Sequence, residues 1–136
     1  MMRAALVLGT LGALSACAAP RARPAQFLDV NAPGELVDVE ATLVAGLVNV
    51  VDFHADWCAA CVEVDAALRA AITGDPRIVV RRVDLGDGET AIAGAYRIRG
   101  LPHVLIVDRR GAIRYRLIGT EAREAGALAR RVADEP

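Results

Sequence analysis

The most reactive feature of the sequence is a pair of cysteines with two residues between them. Cys58 and Cys61 follow directly on the apolar run 47–53 and open a segment with helical spacing. At the start of a helix, unpaired amides and the helix dipole favour a thiolate, which is the form that attacks disulfides. A purely structural disulfide here would close too small a loop to stabilise the fold much. The spacing therefore predicts redox chemistry, with Cys58 attacking and Cys61 resolving the mixed disulfide.

Asp52 is a second residue that could take part in this chemistry. It lies within the apolar run, ahead of Cys58. A carboxylate that is buried without a partner has a raised pKa, which suits it to proton transfer near neutral pH. Because side chains alternate along a strand, Asp52 could equally face solvent. The residues alone leave both alternatives open.

The third cysteine, Cys17, follows a segment with the organisation of a signal peptide. Arg3 is the only charge before the apolar run 4–14, which is too short to cross a bilayer as a helix, since that takes about 20 residues. The run ends in Leu-Ser-Ala-Cys at 14–17, which resembles the bacterial lipobox. This resemblance implies cleavage just before Cys17 and attachment of lipid to it, and several acyl chains would hold the protein on a membrane.

An ordinary signal peptide cut near Ala16 or Ala19 is the alternative, and Cys17 would then be incidental. After Cys17 come two prolines and small residues without apolar periodicity, which is typical of a tether. We therefore expect a lipoprotein signal peptide over 1–16, a lipidated tether over 17–26 and one folded domain over 27–136.

Composition narrows the function classes. The chain has 136 residues, enough for one domain, and 54% of them are apolar, enough for a core. Its 16 basic and 17 acidic residues nearly cancel, so nothing suggests a nucleic-acid partner. All the basic residues are arginines, which excludes a lysine-based mechanism.

The elements that must position these residues alternate along the chain. Such alternation predicts an α/β domain with a partly parallel central sheet. Residues 27–46 could hold an edge strand followed by a helix, or a short hairpin. The expected strands span 47–53, 78–83, 104–107 and 112–118, and the expected helices span 61–72, 89–96 and 120–131.

Three segments resemble the thioredoxin family. Residues 51–58 read VDFHADWC, similar to the family's VDFxAxWC, and residues 96–102 read YRIRGLP, similar to its Y-x-I-R-G-x-P segment with the cis-proline. Gly119 falls where the family has a glycine after its last strand, so the resemblance covers roughly 27–132. Within the superfamily, ADWCxAC and GLPxxLxxD look most like the C-terminal domain of DsbD-type thiol:disulfide interchange proteins.

The resemblance implies a thioredoxin fold, a central mixed β-sheet flanked by helices, and it implies roles for several residues. Asp52 would lie buried beneath the site and help to deprotonate Cys61. Pro102 would be the cis-proline, and the backbone of Leu101 would pair with substrate like an added strand. Trp57 would shape the docking surface, with core packing as the alternative.

Two departures from the family pattern bear on the redox direction. Ala59 and Ala60 stand where thioredoxin has Gly-Pro, and neither supplies a cation that would stabilise the Cys58 thiolate. Less stabilisation of the reduced form means a more reducing couple, so we expect a reductase. His103 stands where the family usually has threonine. It could stabilise a thiolate as part of the substrate-binding segment, or be a surface histidine without a role.

The sequence thus predicts a membrane-anchored, extracytoplasmic thiol:disulfide oxidoreductase without cofactor or metal. One alternative is a dedicated reductase in cytochrome c maturation. Another is a non-enzymatic metal-binding module, for which Cys58, Cys61, His54 and His103 would be the ligands.

The expected partners are protein thiols and disulfides of the cell envelope, an upstream thiol electron donor, and a membrane held through the lipid on Cys17. We expect a monomer that faces the periplasm. Ala18, rather than an aspartate, after Cys17 favours the outer membrane if the host is Gram-negative.

Overall fold

The computed structural model describes residues 22–136, in which five strands form one mixed sheet in the order β1-β3-β2-β4-β5. β3 pairs in parallel with β1 and β2, whereas β4 pairs antiparallel with β2 and β5. This arrangement confirms the expected α/β architecture with a partly parallel sheet. The strands are β1 (Phe27–Asp29), β2 (Val48–His54), β3 (Ile78–Asp84), β4 (His103–Val107) and β5 (Ile113–Ile118), and the helices are α1 (Ala59–Ile72), α2 (Ala91–Ala95) and α3 (Ala125–Asp134).

The central strand β2 is buried along its whole length because both faces of the sheet are covered. Val48 and Val50 pack beneath α1 and α3, whereas Val51 and Phe53 pack on the opposite face with residues from α2. Side chains of a strand alternate between the two faces. Asp52 therefore lies on the face that α1 and α3 cover.

Helix α1 packs on the sheet through residues spaced three and four apart, which is the spacing of one helix face. Its buried residues are Cys61, Val64, Leu68 and Ile72. Close contact with α3 requires a glycine, since a Cβ at Gly126 would lie 2.5 Å from the Cβ of Ala71. This packing fixes the start of α1, and hence the cysteines, over the end of β2.

The ambiguous segment 27–46 forms the edge strand β1 and then a single 3-10 turn at Glu40–Thr42 in place of a full helix. Arg81 anchors it, because its guanidinium donates to the carbonyls of Ala25 and Thr42 from a buried position in β3. Gln26, at the end of the expected tether, donates to the carbonyls of three residues around the α1–β3 turn, Ile72, Asp75 and Ile78.

The remaining differences from the expected elements are at their ends. α2 is shorter than expected, and the last helix begins as a 3-10 helix over Gly119–Glu124 before α3. Within residues 22–136, none of the helices combines the length and the apolar character needed to span a bilayer. The expected signal peptide and Cys17 lie outside the described residues.

Candidate active site

Cys58 and Cys61 form a disulfide at the start of α1, with their Cα atoms 5.2 Å apart. Cys58 is the N-cap of the helix, and its Sγ accepts a hydrogen bond from the backbone amide of Cys61 at 3.2 Å. Cys58 is 7% exposed and Cys61 is 3% exposed, so Cys58 is the more accessible of the two. In the reduced form the same amide can stabilise a thiolate on Cys58.

Three chain segments meet the start of α1 at one edge of the sheet. β2 and β3 both end there, since His54 and Asp84 are register partners in a parallel pair. β4 begins there, because His103 pairs antiparallel with Phe53. The topology therefore brings the cysteine motif, the loop after β3 and the Pro102 segment to the same edge.

Asp52 is fully buried at 0% exposure, so the alternative of a solvent-facing carboxylate is wrong. Neither of its carboxylate oxygens has a hydrogen-bond partner within residues 22–136. Loss of hydration raises the pKa of Asp52 to about 7, and the positive charge of Arg82 opposes this rise. Asp52 faces the side of the sheet on which α1 buries Cys61. It is thus a carboxyl group that changes protonation near neutral pH on the sheet face that α1 covers.

Arg82 and Asp65 surround this carboxyl, and neither was expected from the sequence. Arg82 is the register partner of Asp52 in β3, with its Nε 4.0 Å from Oδ2 of Asp52 and 3.4 Å from Oδ1 of Asp65. Its Nη1 also pairs with Asp29 at 2.8 Å. A charged residue within an apolar strand could have pointed to Arg82 as a candidate. Its pairing with Asp52, however, depends on the register between the two strands.

Trp57 is 62% exposed, so the alternative of core packing is wrong. Its Nε1 donates to the carbonyl of Gly86 at 2.8 Å, which fixes the indole over the loop after β3. Gly88 lies under the ring, where a Cβ would come within 3.1 Å of it. The indole is therefore held in one position at the surface next to Cys58.

The peptide bond between Leu101 and Pro102 is cis. The carbonyl of Pro102 accepts from the amide of Gly119 at 2.9 Å, which joins this segment to the end of β5. The main chain of Leu101 has no main-chain hydrogen bond to another residue of 22–136. Its amide and carbonyl can therefore pair with an incoming extended segment.

His103 is buried at 3% exposure, so the alternative of a surface histidine is wrong. Its ring packs edge-on against Phe53, and its Nε2 lies 2.8 Å from Nη1 of Arg116. An arginine can only donate, so Nε2 must accept, and the ring is neutral with its proton on Nδ1. Burial and the charge of Arg116 both lower the pKa of His103, in agreement with a neutral ring.

The residues of the metal-binding alternative are not brought together. Cys58 and Cys61 are bonded to each other. The cluster with metal-ligand spacing in the described part of the chain is formed instead by His54, Asp56 and Asp84, whose ligand atoms lie within 4.8 Å of one another. It includes neither cysteine.

Comparisons with known proteins agree with this geometry. The family model for thioredoxin matches residues 40–134. The thiol:disulfide interchange protein DsbD of Ralstonia nicotianae is 31% identical over 121 residues, which cover 81% of this chain and 19% of that protein. DsbD of Colwellia psychrerythraea is 31% identical over 98 residues, which cover 66% of this chain and 16% of that protein. The chain therefore spans less than a fifth of the length of these two relatives.

Among solved structures, thioredoxin from Trypanosoma brucei brucei superposes with a TM-score of 0.65 at 21% identity, covering 85% of this chain and 98% of that one. This similarity establishes the fold. The family match and the paired cysteines at the start of α1 indicate thiol:disulfide exchange. The chain therefore belongs to the thioredoxin family and carries the fold and the Cys-x-x-Cys disulfide of a thiol:disulfide oxidoreductase.

Proposed function

We propose that this protein is a membrane-anchored thiol:disulfide oxidoreductase that reduces disulfides of cell-envelope proteins. The observation that carries the proposal is the Cys58–Cys61 disulfide at the N-terminus of α1, together with a buried Asp52 on the same side of the sheet, whose pKa is raised to about 7. The envelope location rests on the DsbD relatives and on the signal-peptide pattern that ends at Cys17.

In the reduced enzyme the Cys58 thiolate attacks one sulfur of the partner's disulfide. A bond forms between the two sulfurs, and the partner's other sulfur leaves as a thiolate that takes a proton. Asp52 then accepts the proton of the Cys61 thiol. The Cys61 thiolate attacks the Sγ of Cys58, which closes the Cys58–Cys61 disulfide and releases the second partner thiolate. Two electrons pass from the dithiol to the partner, and an upstream thiol donor restores them.

Leu101, Pro102 and Trp57 form the surface on which the partner's polypeptide lies. The unpaired main chain of Leu101 supports pairing with an extended segment. The exposed indole of Trp57 offers an apolar contact beside Cys58. His103 contributes by accepting a hydrogen bond from Arg116. Because its ring is neutral, it does not supply a positive charge that would stabilise a thiolate.

A Cys61→Ser variant, expressed in the native host, tests the proposal. It should accumulate envelope proteins bound to Cys58 through mixed disulfides, because no thiol remains to release them. A reductant should cleave these mixed disulfides. Several different partners would support a general envelope reductase, whereas apocytochrome c or its maturation factors alone would support the dedicated reductase. A Cys58→Ser/Cys61→Ser control should capture nothing. Equal capture by variant and control would refute the proposal.

The reduction potential tests the proposed direction. With alanines between the cysteines and a neutral His103, we expect a value nearer to about −270 mV, as in thioredoxin, than to about −120 mV, as in DsbA. Equilibration with glutathione and dithiothreitol buffers measures it. A value above about −170 mV would show that something stabilises the reduced form and would contradict a reductase.

Replacing Cys17 by serine tests the anchor. If Cys17 carries lipid, Cys17→Ser should leave the precursor uncleaved or release the domain from the membrane fraction. Fractionation and the mass of the mature N-terminus measure this, and Ala18→Ser serves as the matched control. Unchanged processing and fractionation of Cys17→Ser would remove the anchor from the proposal and leave the redox chemistry intact.

A further inference from the structure

A groove beside the Pro102 segment is lined by three exposed arginines, Arg97, Arg99 and Arg116. The groove has a volume of about 470 Å³. Tyr96, Gly100, His103 and Ile118 also line it. We refer to it as the arginine groove.

In the described part of the chain, no acidic residue lines the arginine groove. Among residues 22–136, none of its three arginines forms an ion pair, whereas arginines elsewhere in the domain, such as Arg77 and Arg114, do. Glu89 lines an adjoining groove to which Arg97 and Arg99 also belong, but within residues 22–136 it forms no ion pair with either arginine. Since the whole chain has a net charge of −1, this cluster is a local concentration of positive charge.

Arg116 is held in position for an anionic ligand. Its Nη1 donates to Nε2 of the buried His103, and His103 in turn packs against Phe53. This bond uses one N–H of the guanidinium and leaves the others as donors in a fixed fork. A carboxylate that approaches Arg116 thus meets donors whose position is already determined, which lowers the entropy lost on binding.

The backbone at Arg97 supports a role for its side chain. Arg97 has φ of 54°, in the left-handed region that glycine adopts without cost. A non-glycine residue in this region is strained. The turn is maintained by the amides of Arg97 and Ile98, which donate to the carbonyls of Gly94 and Ala93. This turn places the charge of Arg97 beside the groove.

The position of the groove identifies the class of ligand. Gly100 and His103, which line it, flank the Leu101–Pro102 bond, and Ile118 pairs with His103 across the β4–β5 ladder. A polypeptide that pairs with Leu101 while its cysteine is bonded to Cys58 continues along this edge of the sheet. The groove is therefore next to the residues that flank the reacting cysteine of the partner.

We propose that the arginine groove binds an acidic segment of the partner polypeptide, close in sequence to the cysteine that reacts with Cys58. This inference rests on the proposed thiol:disulfide exchange and names the partner's chemistry. Aspartate and glutamate side chains match the fork of Arg116 and the exposed charges of Arg97 and Arg99. The groove selects among disulfides of similar reactivity through the charge of their surroundings.

Matched peptides test this inference. Three disulfide-linked peptide dimers share one core sequence around the cysteine and carry two acidic, two neutral or two basic residues on each side of it. The reduced domain should reduce the acidic dimer roughly five- to tenfold faster than the neutral one in about 50 mM salt, as expected for two or three exposed ion pairs. The ratio should fall towards one in about 0.5 M salt, because salt screens exposed charges.

Variants assign the selectivity to the groove. An Arg97→Gln/Arg99→Gln double variant should lower the acidic-to-neutral ratio towards one, and Arg97→Glu/Arg99→Glu should make the basic dimer the faster substrate. The matched control is Arg110→Gln/Arg130→Gln, which removes two exposed arginines outside the groove. It should keep the parent ratio.

Two results would overturn the inference: equal rates for the three dimers with the parent domain, or an unchanged ratio in the Arg97→Gln/Arg99→Gln variant. Failure of the proposed function is distinguishable, since it would abolish reduction of all three dimers. Reduction of the neutral dimer therefore reports the chemistry, and the ratio reports the groove.

Discussion

Replacing Cys58 with serine is expected to lower the rate of disulfide exchange by at least about a thousandfold, because the attacking nucleophile is lost. Cys58 is assigned this role since it caps α1, accepts the Cys61 amide and is the more exposed of the two. Stopped-flow measurement of the first attack on a peptide disulfide gives the rate. The Cys58→Ser variant should form no mixed disulfide.

Cys61→Ser is the matched comparison, since it removes a thiol of the same motif. It should retain the first attack and accumulate the mixed disulfide. Alkylation of each single-cysteine variant across pH locates the lower pKa, which we expect at Cys58. Faster alkylation of Cys61 near pH 6, or trapping by Cys58→Ser, would reverse the two roles.

Replacing Asp52 with asparagine is expected to stabilise the oxidised domain, and more strongly as the pH rises. The pKa of Asp52 is raised from its usual value to about 7, so the folded state retains a proton that the unfolded state releases at lower pH. The free energy of unfolding of the parent therefore falls between about pH 4 and pH 7. This loss of free energy of unfolding is on the order of 4 kcal/mol. Asp52→Asn removes it, because asparagine does not ionise.

Denaturant unfolding of the oxidised protein near pH 5 and near pH 8 measures the effect. The excess stability of Asp52→Asn should be larger near pH 8. The control is Asp56→Asn, the same substitution at an exposed aspartate in the adjoining loop, which should follow the parent profile. An excess of stability that does not grow with pH would contradict a buried carboxyl with a raised pKa.

The same variant separates the two steps of exchange. In the parent, release of the mixed disulfide should accelerate as pH rises through about 7, because Asp52 becomes the carboxylate that accepts the Cys61 proton. Asp52→Asn should slow release and leave the first attack by Cys58 nearly intact. Equal release rates in parent and variant would remove Asp52 from the mechanism.

Sequence reasoning found the redox pair because its signal is local. A buried strand followed at once by two cysteines and a helical pattern specifies the strand, the helix start and the order of the thiols together. The cis bond before Pro102 followed from the family segment that contains it. The ambiguous segment 27–46 contained an edge strand, but its helix was reduced to one turn at Glu40–Thr42.

Burial of the polar residues was harder to predict because β2 and β4 are covered on both faces. In such strands, alternate side chains enter the cores on the two faces of the sheet, so alternation does not show which residues face solvent. Asp52 and His103 therefore remained ambiguous in the sequence, and both are buried. Their partners, Arg82 and Arg116, come from neighbouring strands and are set by register. Register depends on the assembled sheet, so local sequence could not supply these pairs.

Reduction of insulin by the domain shows whether the Cys58–Cys61 pair exchanges disulfides with another protein. The measurement uses the fully reduced domain with a metal chelator present and follows both the insulin disulfides and the domain's own thiols. We expect each domain to reduce one insulin disulfide without metal and to be recovered with a Cys58–Cys61 disulfide. No reduction by the parent under these conditions, or equal reduction by Cys58→Ser, would contradict this expectation.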